Sequence, residues 1–359
     1  MRDATPSAPG PTRRLVTAGA LGAVVVALAG CGIRLEDDAP RVPLVPTREP
    51  IEAEQALLRL HAAVVTASTA SFVATDPLAP LLPPLHARQA TVLHDALRQR
   101  GVPESELATP SATPTASPAT SATASATSSP SGSPASAAPV PTAPAVVRRP
   151  VAEVEGEVVA AGRGLEAAEA DLRPTLVAVL GQAHAAVELA APVAAPAPAA
   201  TPTPSASASP SASGSSSPSV PPSWSSPAAL VPLVVATRRA TWLLEVAAAR
   251  STKAVRSAWL RDIAALQGLT SDLVDAAGPS APEPDLGQTL PRPVTTPAEA
   301  ATLATEAMTT LLAETGAALR PAIDADPEAA FAALPGWLGT VAAVAHRHGI
   351  RLTAFPGLA

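Results

Sequence analysis

Apolar residues beyond position 50 recur every three or four positions, an interval that places them on one face of an α-helix. Helices are predicted to begin just after Pro50, Pro84 and Pro327, and at Pro174 and Pro297. Three more are predicted over residues 151–168, 226–277 and 337–348. No stretch alternates apolar and polar residues in the way typical of a half-buried β-strand. The pattern therefore predicts an all-α fold.

Local signals predict where several of these helices begin and end. Thr296 and Glu299 have the spacing of a capping box, with a proline at the first helical position between them. A single helix over 226–277 would be about 75 Å long, so we expect a turn or kink near Ser251-Thr252. Residues 350–359 are expected to form an extended tail.

Two segments, at about 107–146 and 191–225, consist mainly of Ala, Ser, Thr and Pro and have no apolar periodicity. Such segments bury too little apolar surface to offset the entropy lost on ordering, so both are predicted to be disordered. Their hydroxyl groups are potential sugar attachment sites, although solvated linkers explain the composition equally well. Because they interrupt helices that must pack together, we interpret them as long loops of one helical bundle domain, residues 51–359. Trp224 is expected to dock the second segment onto this bundle.

The first residues of the chain have the pattern of an export signal. Arg13 and Arg14 precede an apolar run at 15–29. This run is shorter than the roughly 20 residues that span a membrane, and it has the length of a signal-peptide core. It ends in Leu28, Ala29, Gly30 and Cys31. Residues 1–30 are therefore predicted to be a signal peptide, followed by a proline-spaced tether at 31–50.

The four residues that end this run resemble the lipobox of bacterial lipoproteins. The resemblance implies that a diacylglyceryl group is attached to the sulfur of Cys31 and that cleavage makes this residue the new N-terminus. It also implies retention on the extracytoplasmic face of the plasma membrane, because two or more acyl chains give stable attachment. Residues 12–16 also resemble a twin-arginine signal, and an ordinary secretory signal fits as well.

The composition excludes several classes of protein. A single cysteine, Cys31, excludes an internal disulfide framework and a cysteine-based zinc site. A net charge of −6 with no basic block argues against a nucleic-acid partner. Aromatic residues make up only 2 % of the chain, which argues against an aromatic-lined cofactor pocket, so no cofactor is expected.

Four segments resemble a group of actinobacterial lipoproteins that carry an uncharacterised ferritin-like helical domain. They are residues 31–40, 43–50, 286–294 and 346–357. The resemblance implies a ferritin-like, up-down helical bundle interrupted by the two loops. It implies no activity, since none is known for that group.

A ferritin-like di-metal site needs a Glu on each of two helices and Glu-x-x-His on each of the other two. None of the six histidines has a Glu three residues before it, so no metal site is expected. His184 and Glu188 are expected to form a surface hydrogen bond. The acidic residues at 153–157 are expected to form a solvated face.

One strongly apolar helical stretch also carries charged residues. Glu245 and Arg250 are expected to form an ion pair that orients the bundle, and the alternative is a polar site in the bundle core made by Arg238, Arg239 and Glu245. Three tryptophans are expected to anchor the Ala-rich core: Trp242, Trp259 and Trp337.

The sequence contains no catalytic or nucleotide-binding motif of the common kinds. We therefore expect a non-catalytic envelope lipoprotein that binds or scaffolds an unknown envelope protein or small ligand. Two alternatives stay open: the solute-binding lipoprotein of a transporter, and an enzyme built on a degenerate ferritin-like core.

Overall fold

Nine α-helices make up most of the part of the chain that the computed structural model describes, residues 48–108, 147–191, 223–285 and 287–358. They are α1 (Glu54–Thr69), α2 (Leu82–Gln99), α3 (Glu104–Leu107), α4 (Val151–Ala161), α5 (Arg173–Ala190), α6 (Val231–Ala249), α7 (Lys253–Ala277), α8 (Pro297–Ala325) and α9 (Pro327–Arg347). These residues contain no β-strand, only one isolated bridge. The predicted all-α class is confirmed for them. From Pro50 onward they belong to one compact unit.

Helices α1, α2, α4 and α5 enclose one apolar core and are called the first bundle below. Arg59, near the start of α1, donates a hydrogen bond to the carbonyl of Arg163, just after α4. Beyond the other end of α1, Phe72 forms a bridge with Arg149, just before α4. Helices α1 and α4 therefore run in opposite directions.

Contacts of α2 give the directions of the other helices in the first bundle. His86, near the start of α2, binds Glu155 on α4. Arg100, at the end of α2, pairs with Glu169 and Asp171, which follow α4 and precede α5. Helix α2 therefore runs parallel to α4 and antiparallel to α5. The order of directions in this bundle is up, down, down, up.

Helices α6–α9 enclose a second apolar core and are called the second bundle. The described helices therefore form two bundles instead of the single bundle predicted from the sequence. Three residues connect α6 to α7, and Gln267 of α7 donates to Glu245 of α6, so this pair is an antiparallel hairpin. Asp326 alone connects α8 to α9, and Thr305 of α8 donates to the carbonyl of His348, so this pair is also antiparallel.

The second bundle has the same order of directions as the first. Arg347, at the end of α9, donates to Asp262 in the first half of α7, so α7 and α9 are antiparallel. It follows that α7 and α8 are parallel and that the order is again up, down, down, up. The connection 278–296 must therefore cross the length of the bundle.

The two bundles join where α5 packs along α9. A side chain at Gly181 would lie 2.7 Å from Leu338, and one at Gly339 would lie 2.5 Å from the Cβ of His184. Further along both helices, Arg347 binds Glu188. The two helices therefore run in the same direction, and small residues allow their backbones to approach closely.

Helix α9 is long and apolar enough to cross a membrane by length and composition, and 61 % of its most apolar window is buried inside the unit. Leu334, Leu338 and Val341 are at most 1 % exposed and belong to the core of the second bundle. Packing against α5 and α8 therefore accounts for the apolar character of this helix.

Several local predictions are confirmed. The turn near Ser251-Thr252 separates α6 from α7, and Thr296 and Glu299 form both hydrogen bonds of the capping box. Trp224 is buried and stacks on Trp337, with ring centroids 6.0 Å apart. The other tryptophans pack against the same core: Trp259 is buried, whereas Trp242 and Trp337 are partly buried.

Two predicted helix boundaries are wrong. Helix α4 ends at Ala161 instead of continuing to 168, because Gly162 and Gly164 follow it and Gly164 has a left-handed φ of 84°. The chain from Pro327 to Arg347 is one helix instead of two, and it continues through Pro335. Pro335 itself is buried, so packing of the flanking residues outweighs the lost backbone hydrogen bond.

The predicted extended tail has no helix, but it packs onto both bundles. Ala354 and Pro356 are buried, and the carbonyl of Ala354 accepts a 2.7 Å hydrogen bond from Gln89 of the first bundle. Gly357, at φ 76°, lies directly against Gly316 of α8 in the second bundle. The tail therefore connects the two bundles.

Most of each predicted loop lies outside the described residues, namely residues 109–146 and 192–222. The prediction that these loops are disordered therefore concerns a part of the chain outside the described residues. The described residues that flank the second loop lie at opposite ends of α9. Glu188 binds Arg347 at one end, whereas Ser225 binds Asp326 at the other. This placement is the one expected of a connection within a single helical unit.

Ala53, immediately before α1, provides a test of backbone strain. It has a left-handed φ of 54° and ψ of 21°, which disfavours a residue with a Cβ. Ala53→Gly is expected to raise the free energy of unfolding by about 1 kcal/mol, as measured by urea denaturation. Ala87→Gly, at an exposed position inside α2, is the control and should lower it by about 1 kcal/mol. Destabilisation by both substitutions would contradict the assigned backbone conformation.

Candidate functional site

Four fully buried polar side chains meet inside the first bundle, and they are called the polar cluster below. They are His86 and Gln89 on α2, Glu155 on α4 and Gln182 on α5. His86 Nε2 lies 2.7 Å from Glu155 Oε1, and its Nδ1 lies 2.9 Å from Gln89 Oε1. Gln89 Nε2 donates to Gln182 Oε1 at 3.0 Å.

The tail determines how protons are arranged in the polar cluster. A backbone carbonyl only accepts, so Gln89 must direct its amide nitrogen toward the carbonyl of Ala354. Its amide oxygen then accepts from Nδ1 of His86, which must carry a proton. One further proton lies between His86 Nε2 and Glu155 Oε1. The pair is therefore either imidazolium with carboxylate or imidazole with carboxylic acid, and its total charge is zero in both cases.

Two buried polar atoms of the cluster have no hydrogen-bond partner among the described protein atoms: Glu155 Oε2 and Gln182 Nε2. One is an acceptor and the other is a donor. Buried polar atoms are normally hydrogen-bonded, because an unmade bond in a low-dielectric interior is costly. The cluster therefore has the capacity to accept one more hydrogen bond and to donate another.

Sequence reasoning missed the polar cluster, although the pattern contained a signal for it. The predicted solvated face of Glu153, Glu155 and Glu157 is wrong for Glu155 alone, which is buried. The other two are exposed and bind Arg149. Glu155 lies four residues after Val151, on the arc of α4 that faces the core.

A second polar group lies near the joined ends of α7 and α9. Asp262 is buried and accepts from Arg347 Nε at 2.6 Å. His348 Nε2 lies 3.1 Å from the other carboxylate oxygen, although the two are not aligned as a hydrogen bond. The His348 ring is tilted against Trp259 at 5.4 Å. These contacts join the end of α9 to α7.

Two surface grooves of about 630 and 530 Å³ flank the packed helices α5 and α9, and His184 lines both. Burial lowers the pKa of His184 below its usual value. The predicted hydrogen bond between His184 and Glu188 is not formed, because Glu188 accepts from Arg347 instead. His184 therefore presents a neutral imidazole to these grooves near pH 7.

The predicted polar site in the bundle core is wrong. Arg239, Glu245 and Arg250 are exposed, and Glu245 accepts from Gln267 instead of pairing with Arg250. Arg238 is partly buried and donates to the carbonyl of Pro282. These side chains lie on the side of α6, and of the turn that follows it, that faces away from the core residues of the helix. They therefore face solvent on the outside of the hairpin. Arg239 also lines a shallow groove between α6 and α8.

The predicted signal and lipidation residues lie outside the described part of the chain. They are Arg13, Arg14, Leu28, Ala29, Gly30 and Cys31. Their roles remain predictions from the sequence.

The described residues contain no group of three or more His, Cys, Asp or Glu side chains placed to hold a metal ion. The His86–Glu155 pair supplies only two such side chains, and the other hydrogen-bond partner of His86 is the amide of Gln89. Comparison of the chain with protein-family models, with curated proteins and with solved structures found no match.

Proposed function

We propose that this protein is a lipid-anchored lipoprotein of the cell envelope whose non-catalytic helical unit binds or scaffolds an envelope protein or a small ligand. The observation that carries the proposal is the position of Cys31, the only cysteine in the chain. It follows Leu28, Ala29 and Gly30 at the end of an apolar run of signal-peptide length. The anchor would hold the protein on the extracytoplasmic face of the plasma membrane.

We further propose that each bundle is a ferritin-like module without the metal chemistry of ferritins. The order up, down, down, up, with one long crossover connection between the second and third helices, is typical of ferritin-like folds. It supports this assignment for α6–α9 and for α1, α2, α4 and α5. The polar cluster supplies one histidine and one carboxylate, whereas a di-metal site needs several carboxylates and two histidines.

Two observations favour this proposal over the alternatives. The described residues have no βα alternation, which disfavours a solute-binding protein of the α/β kind. They also have no cluster of metal-ligating side chains, which disfavours a metal-dependent enzyme on this scaffold. Stoichiometric iron or manganese in the purified protein would favour the degenerate enzyme instead.

The anchor is tested by Cys31→Ala. Loss of the thiol removes the only site for the diacylglyceryl group, so the protein should move from the membrane fraction to the soluble extracytoplasmic fraction. Immunoblotting of the membrane fraction and the soluble extracytoplasmic fraction measures this change, in a bacterial host that attaches lipid to exported proteins. Ala29→Ser is the matched control, because the lipobox pattern admits serine there, and it should stay membrane-bound. Unchanged retention of Cys31→Ala would refute lipidation as the means of attachment.

A further inference from the structure

The tip of the α6–α7 hairpin, residues 246–261, differs in charge from the rest of the chain. It carries Arg250, Lys253, Arg256 and Arg261 and no Asp or Glu, although the chain as a whole has a net charge of −6. Arg256 donates to the carbonyls of Ala248 and Ala249, which fixes one cation at the turn. The other three cations are exposed. The hairpin tip therefore presents a cluster of positive charge.

The hairpin tip also projects beyond the bundle. All six residues of 252–257 are exposed. Since they cover every direction around the helix axis, no neighbouring element packs over this turn. Val255 is 41 % exposed and Leu260 is 53 % exposed. Two aliphatic side chains therefore accompany the basic residues on a convex surface.

We propose that the hairpin tip docks onto an anionic phospholipid surface. Val255 and Leu260 enter the interface, while Arg250, Lys253 and Arg261 contact headgroup phosphates. A mixture of cations and exposed aliphatic groups suits the boundary between headgroups and acyl chains. The only aromatic residue of the tip, Trp259, is buried, and a convex tip without exposed aromatic residues suits a soft planar surface better than a peptide or a nucleic acid. This contact is additional to the proposed anchor and involves different residues.

The expected strength of this contact is modest. Each basic residue near an anionic membrane raises affinity about fivefold at moderate ionic strength. Three such residues are too few for stable attachment alone. On a chain already held at the membrane, the effective concentration of the tip is high, so a weak contact suffices to orient the helical unit.

Lys253 is the only lysine in the chain, and it makes the hairpin tip directly observable. The full-length protein is coupled through Cys31, its only cysteine, to a maleimide-bearing lipid in vesicles of phosphatidylcholine alone, or of equal parts phosphatidylcholine and phosphatidylglycerol, so that membrane attachment does not depend on lipidation in the cell. A water-soluble acetylating reagent is added, and the rate of acetylation at Lys253 is measured by mass spectrometry. Docking should slow this rate at least about fivefold on the anionic vesicles. Raising the salt to about 1 M, where the Debye length is about 3 Å, should abolish the protection.

Leu260→Ser and Val255→Ser should reduce the protection, whereas Val73→Ser and Val92→Ser, at exposed valines of the first bundle, should leave it unchanged. All four positions are exposed, so the fold should persist, as circular dichroism would check. Equal acetylation rates on the two kinds of vesicle would overturn the proposal. So would protection that poly-glutamate or DNA reproduces and Leu260→Ser does not alter, since the tip would then be a polyanion site. Fractionation of Cys31→Ala reports the anchor separately, so the failure of either proposal is distinguishable from that of the other.

Discussion

Glu155→Ala is expected to lower the free energy of unfolding by about 3–5 kcal/mol. Glu155 is fully buried, and its carboxylate is the partner of the equally buried His86 at 2.7 Å. Removing it leaves His86 Nε2 in an apolar interior without a partner and leaves a cavity beside α4. Urea denaturation followed by circular dichroism measures the change.

The matched controls lie on the same helix. Glu153→Ala and Glu157→Ala also remove a carboxylate bound to a basic residue, but both carboxylates are exposed and bind Arg149 at the surface. Each should cost less than about 1 kcal/mol. If Glu155→Ala cost no more than these controls, the buried pair would not contribute to stability.

A double-mutant cycle separates the loss of stability caused by breaking the pair from the loss caused by the cavity. Replacing both partners, as in His86→Leu with Glu155→Leu, removes both members of the buried pair and leaves only Gln89 Oε1 without its donor, so the double variant should be more stable than the sum of the single losses predicts. Glu155→Gln should be milder than Glu155→Ala, because its amide can donate to a neutral His86 Nε2. A larger loss for Glu155→Gln would indicate that the native pair is imidazolium with carboxylate.

The features that were predicted correctly from the sequence depend on residues that are close together along the chain. Thr296 and Glu299 form a capping box because they are three residues apart, whatever else the helix contacts. The break between α6 and α7 follows from helix length and the residues at 251–252. Trp224 lies within the second Ala/Ser/Thr/Pro segment, which predicts that it docks this segment onto the bundle, and it is buried against Trp337.

The features that sequence missed depend on contacts between distant segments. Pro335 is a helix breaker by local rules, but it lies inside α9 because its neighbours Leu334 and Leu338 are both buried in the second core. Arg239 lies on an apolar helix, but neighbouring elements leave its face exposed. The polar cluster joins positions 86, 155 and 182, and a pattern within one helix shows only that each faces inward.

The two bundles share an order of helix directions but differ in their interiors. The first bundle buries a hydrogen-bonded cluster of four polar side chains, whereas the buried carboxylate of the second bundle, Asp262, is paired with Arg347. The tail contacts both: it accepts from Gln89 in the first bundle and packs on Gly316 in the second. A change at the tail therefore affects the polar cluster and the joint between the bundles together.

Gly316→Ala is expected to detach the tail and to lower the free energy of unfolding by about 3 kcal/mol. A Cβ at this position would overlap the carbonyl of Gly357. That carbonyl belongs to the backbone, so no side-chain rotation can relieve the overlap. The tail must then leave α8, which exposes Ala354 and Pro356 and removes the carbonyl that Gln89 binds. Losing that buried hydrogen bond and the associated apolar contacts accounts for the expected magnitude. Hydrogen exchange should show faster exchange at residues 350–358.

Gly268→Ala is the matched control. Gly268 lies inside α7 with nothing within 4 Å of a Cβ, so the same substitution should stabilise the protein by about 0.5–1 kcal/mol through helix propensity. A second test comes from Gly357→Ala, because a Cβ there would lie 2.8 Å from the Cα of Gly316 and φ is left-handed. It should destabilise the protein in the same direction as Gly316→Ala. Because both glycines act through one contact, the double variant should lose less than the sum of the two single losses. Full additivity would place the tail away from α8.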